Sequence, residues 1–126
     1  MTAKLDLTPK AITAYRETAK QREQAERRER AQRRERAWQV ARQAAELLRS
    51  SFGASQVIAF GSLVHGHWFS QTSDVDLAAW GLKDDDYFLA TARLQDVSKE
   101  FRVDLVRGEV CKPEFQDSIL REGLLL

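Results

Sequence analysis

A chain of 126 residues with a formal net charge of +1 has room for one modest hydrophobic core. No apolar run approaches the ~18 residues of a membrane span and no signal-peptide pattern opens the chain, so a cytoplasmic protein without a membrane is expected. The lone cysteine, Cys111, excludes an intrachain disulfide and is read as a reduced, unreactive thiol.

The near-neutral balance hides an asymmetry. Residues 1–50 hold 13 Lys/Arg and 7 Asp/Glu (+6), whereas residues 51–126 hold 7 and 12 (−5). Such a division is expected to mark a functional tail, a charged N-terminal helical extension over 1–36, attached to a separate core over 37–126.

Thr8-Pro9 predicts a helix start, with the threonine as N-cap and the proline at the first helical position. No Gly or Pro interrupts the chain from there to Ser50, so one helix of about 40 residues, ~60 Å long, is expected. Arg16 to Arg36 has no apolar stripe. From Ala37 on, Trp38, Ala41, Ala45 and Leu48 recur at helical spacing and should pack on a core. Gly53 is the expected stop.

Glutamates 23, 26, 29 and 35 interleave with the arginines at three- and four-residue spacing, the pattern of a solvated helix. They weigh against a nucleic-acid arm, as does the lack of interleaved aromatics. Ile12, Tyr15 and Ala19 form a small apolar face that could meet a second copy or a protein partner.

Three strands are predicted: Gln56–Phe60, Val75–Trp80 and Arg102–Val106. Gly61-Ser62 follows the first, with a short helix ending at Gly66. Asp84-Asp85-Asp86 should cap a helix whose apolar positions run from Tyr87 to Phe101. Pro113 opens a last helix that ends at Gly123, leaving Leu124 to Leu126 as an apolar tail. The fold class expected is α/β (α+β): a small mixed sheet of about three strands flanked by helices.

The chemistry-bearing residues all lie at strand edges. Asp74 and Asp76 share a face of one strand, ~7 Å apart at Cβ, and Asp104 lies on another. Side chains of that reach can converge on a divalent cation, and Mg²⁺ takes just such oxygen ligands together with phosphates and water. Three carboxylates on one small sheet repel each other, which a cation relieves. Gly61 lets backbone approach phosphate, and Ser62 with the amides around Leu63 to His65 would donate to it. Taken alone, an Asp-x-Asp or a Gly-Ser is an ordinary turn; their order and strand-edge placement make the case.

Phe60-Gly61-Ser62, eleven residues, then Asp74-Val75-Asp76-Leu77, with Arg102-Val103-Asp104-Leu105-Val106 later, resembles the signature of the nucleotidyltransferase superfamily that includes DNA polymerase β. More closely it resembles the minimal nucleotidyltransferases, over about residues 37–126. The resemblance implies transfer of AMP from ATP to a hydroxyl with release of pyrophosphate. Asp74, Asp76 and Asp104 would be the catalytic and metal-binding set, with two Mg²⁺ ions, and Asp104 would also activate the acceptor. Gly61 and Ser62 would grip the triphosphate.

Many minimal members are antitoxins that adenylylate a tyrosine of a HEPN ribonuclease toxin, so such a toxin is the partner implied. Two alternatives stand beside this: a catalytically silent antitoxin acting by binding, and an aminoglycoside-type enzyme, for whose usual acceptor domain the chain has no room. His65 occupies a place where the family often carries a basic residue; it would contact phosphate or simply cap the short helix. His67 and Trp68 follow in the loop. Trp68 reads as an apolar anchor or a base-stacking surface, and a His65/His67 zinc site lacks further ligands.

Overall fold

The computed structural model of the chain describes residues 8–66 and 69–126. His67 and Trp68 therefore lie outside the described residues. A single helix, α1 (Pro9–Phe52), opens the fold; Thr8 Oγ1 accepts from Ala11 N at 3.2 Å and Gly53 closes it in the left-handed conformation (φ 70°). Both ends are where capping chemistry places them. Its 44 residues span about 66 Å, and its buried positions begin at Ala37, running through Val40, Ala41, Ala44, Ala45 and Leu48 to Phe52. Small side chains at most of these positions let the helix lie close against the sheet.

Four strands form one mixed sheet in the order β3-β2-β1-β4. The central pair, β1 (Gln56–Phe60) and β2 (Val75–Trp80), is antiparallel, whereas β2 and β3 (Val103–Arg107) run parallel. The apolar tail, to which no strand is assigned from sequence, supplies β4 (Leu124–Leu125), antiparallel to β1. Two residues are too short to show a strand period. Register comes from elsewhere: Leu126 N donates to Val57 O at 2.9 Å, and Arg49 Nη1 donates to Leu126 O at 3.0 Å.

Alternation along the strands splits the sheet into two faces. Val57, Ala59, Val75, Leu77, Ala79, Val103 and Leu105 join the large core with α1 and α3 (Tyr87–Leu94). Ile58 and Ala78 pack under Ile119 of α4 (Pro113–Glu122) on the other face, with Phe60, Trp80 and Val106 around them.

Two expectations shift. Helix α3 stops at Leu94 rather than continuing to Phe101. The side chain of Gln95 is drawn to the open edge of β3, donating to Val103 O at 2.6 Å, while Ser98 Oγ accepts from the Glu100 and Phe101 amides. Satisfying those backbone groups competes with another helical turn. The three aspartates form a 3-10 turn (Asp84–Asp86) with no side-chain cap; Asp84 pairs instead with Arg107.

Candidate functional site

The register brings the acids together. Asp76 on β2 is the direct partner of Asp104 on parallel β3, and on its other side it faces Phe60 of β1. Asp74 lies two residues before Asp76 and so projects from the same face. All three are half-buried, on the face that α4 covers lower down.

Gly61 follows directly on β1 and sits against this cluster. Its φ of 78° and ψ of −150° belong to a region open essentially to glycine alone, and an added Cβ would lie 2.6 Å from Asp76 Oδ2. One residue thus turns the chain from strand into α2 (Ser62–His65) and lets that turn close on a carboxylate. The amides of Val64 and His65, expected to face phosphate, donate to Gly61 O at 3.2 and 3.3 Å. That leaves Ser62 and Leu63 as the amides opening the helix, whose N–H groups have no partner within it. His65 ends the helix with Nε2 3.6 Å from Glu122 Oε2 of α4.

The acids perturb one another. Burial, then the charges of Asp104 and Asp74, push the Asp76 carboxyl up to about 6. Asp74 is also raised, by burial first and by Asp104 next, with Arg102 opposing. Arg102 Nε donates to Asp104 Oδ1 at 2.9 Å, a cation the sequence reading did not assign to the site. The signal for it was the two-residue spacing, which puts Arg102 and Asp104 on one strand face.

Asp76 beside Asp104, with Asp74 two residues away, forms a hard, all-oxygen donor set that fits Mg²⁺, its mutual repulsion eased only in part by Arg102. Among the described residues, no three His, Cys, Asp or Glu side chains close on one ion position as they stand. A cleft of about 790 Å³ lies elsewhere, between α1 (Glu26, Glu29, Arg30, Arg33) and Phe69 to Thr72; its lining does not include the acids. The Cys111 thiol donates to Arg107 O at 3.2 Å, and burial raises its pKa, which disfavours the nucleophilic thiolate.

No curated protein matches the chain in sequence. Solved structures do match in fold. A toxin–antitoxin crystal structure with AMP-PNP has 20% identity over 68% of this chain and 70% of that one, with a TM-score of 0.57. A candidate nucleotidyltransferase from Sulfolobus solfataricus has 22% identity over 76% and 84%, with a TM-score of 0.50. A candidate minimal nucleotidyltransferase has 26% identity over 76% and 91%, with a TM-score of 0.49. The pattern of one family covers residues 42–126, from the packed half of α1 through β4 and so including all three aspartates. The chain belongs to that family, the polymerase beta nucleotidyltransferases.

Proposed function

We propose that this nucleotidyltransferase moves AMP from ATP to a hydroxyl on a protein, a tyrosine of a HEPN ribonuclease toxin in the cytoplasm, and so acts as its antitoxin. The observation that carries the reading is the pairing of Asp76 with Asp104 across β2 and β3, with Gly61 closed over Asp76. In this reading Asp74, Asp76 and Asp104 hold Mg²⁺, and Gly61 and Ser62 hold the triphosphate. His65, whose Nε2 lies 3.6 Å from Glu122 Oε2, is the basic residue that would contact phosphate in this reading. The metal, when bound, neutralises the phosphates and polarises the α-phosphorus.

The acceptor oxygen forms its bond to the α-phosphorus as the bond to the bridging β-oxygen breaks, and pyrophosphate leaves. Asp104 takes the hydroxyl proton. Its neighbour Arg102 engages Oδ1 and so orients the carboxylate for that task. Support for a toxin partner and for ATP comes from the fold neighbour, a toxin–antitoxin structure containing AMP-PNP.

A second reading, an antitoxin that acts by binding alone, has Arg102 on its side, since this guanidinium already pairs with the Asp104 carboxylate. The two separate in one experiment: α-labelled ATP and Mg²⁺ added to lysate with wild type or with Asp74→Asn/Asp76→Asn. Label on a discrete protein with wild type alone supports transfer, and mass spectrometry then names the modified residue. Folded wild type that labels nothing in an Asp-dependent way overturns it.

A further inference from the structure

The basic run of α1, with its interleaved glutamates, predicts a solvent-exposed or partner-binding helix. Three of its arginines behave otherwise, and between them they reach three segments of the body. Arg34 donates from Nε to Leu63 O at 3.0 Å and from Nη2 to Val64 O at 3.2 Å, gripping the two middle carbonyls of α2. Gly66 leaves room for it, since a Cβ there would lie 2.9 Å from Arg34 Cζ. Arg33 donates from Nη2 to Gln71 O at 2.7 Å, reaches Ser70 O at 3.4 Å and stacks 4.5 Å over the Phe101 ring. Arg36 makes a two-pronged pair with Glu100, at 2.9 and 3.0 Å.

The three segments held are the ones that lead to the acids and to Gly61-Ser62. Arg34 holds the helix that Ser62 opens. Arg33 holds the loop that enters β2 at Asp74. Arg36 holds Glu100, four residues before Asp104, and Arg33 Nη1 lies 3.6 Å from the same carboxylate. We propose that Arg33, Arg34 and Arg36 form a clasp on α1 that sets the relative positions of the Gly61-Ser62 turn, the Asp74/Asp76 strand and the Asp104 strand. These are positioning residues: none touches the acids. All three lie before residue 42, where the family match starts, so the extension supplies an element that the matched region lacks.

The physical case is that of a fork on carbonyls. A planar guanidinium with several fixed donors can bind two acceptors at once, and carbonyls near the end of a short helix have no partner within it. Lysine, a point charge, cannot reproduce the fork. Arg33 is mostly shielded from solvent (18% exposed), so its contacts are screened less than a surface pair's would be.

The inference uses the proposed site, so its test reads position as well as ligand binding. Full-length Arg34→Gln, Arg34→Lys and Arg33→Gln are compared with wild type by amide exchange, by fluorescent ATP-analogue binding and by Mn²⁺ titration. Arg34→Gln should speed exchange at His65 and Gly66 and weaken the ATP analogue about tenfold, with Mn²⁺ affinity within about twofold of wild type. Arg34→Lys should not rescue it. Arg33→Gln should speed exchange at Ser73 and Val75 and weaken Mn²⁺ about threefold. Unchanged exchange at those amides, or equal loss everywhere in step with a lower Tm, overturns the clasp. If wild type binds neither ligand, the nucleotidyl-transfer reading fails, while the exchange pattern still decides the clasp.

Discussion

Asp76 concentrates the site's electrostatic tension, and its protonation should be visible in stability. Its carboxyl stands at about 6 against an ordinary 3.8, so between these values the folded chain holds a proton that the unfolded chain has released. In chelator, stability should therefore be greatest at the acid end of that window and fall as pH rises through about 6. Asp74, raised in the same sense, adds to the fall. Melting curves from pH 4 to 7 test this: Asp76→Asn should flatten the profile, and an equally steep mutant curve would assign the slope to other groups. The same substitution should lower nucleotidyl transfer at least about a hundredfold, measured as α-label incorporation. Gly61→Ala is the sharpest structural test at this scale, because the backbone angle strains any Cβ and the Asp76 carboxylate, 2.6 Å from it, would have to shift. We expect a loss of about 1–3 kcal/mol in urea unfolding, together with loss of activity.

At the level of elements, capping and periodicity were readable because they are local. Thr8-Pro9, Gly53 and Pro113 mark helix ends through their own backbone chemistry, and the structure places those ends there. Helix α3 ends short of the apolar spacing because Phe101 is buried and Val97 partly buried by tertiary packing, which does not need helical backbone. Strand β4 was missed because its pairing partner lies over sixty residues earlier in the chain. The caps give a prediction of their own. Thr8→Ala removes a cap worth about 1 kcal/mol, but the first buried residue of α1 is Ala37. Amide exchange should rise in the first turns of α1 while Tm stays unchanged; a drop in Tm would mean that this end is coupled to the core.

Over the whole molecule, α1 has two roles: its second half is a wall of the core, and its first half projects from the body. Leu48 is fully buried in the large core, and Leu48→Ala should cost about 2–5 kcal/mol in chemical denaturation. Removing residues up to Glu29 should leave the denaturation midpoint near wild type, since it spares Arg33, Arg34 and Arg36. Sequence alone determined what local chemistry can encode: both ends of α1 and the start of α4, which strand positions are apolar, and that three aspartates and a Gly-Ser turn sit at strand edges. It also carried the family pattern. Tertiary structure alone decided the register that sets Asp76 beside Asp104, the closure of Gly61 on Asp76, the pairing of Arg102 with Asp104, and the reach of α1's arginines to three separate segments. The reason is physical: a side chain's type limits what it can bond, but its partner is set by which distant backbone the folded core brings within about 3 Å.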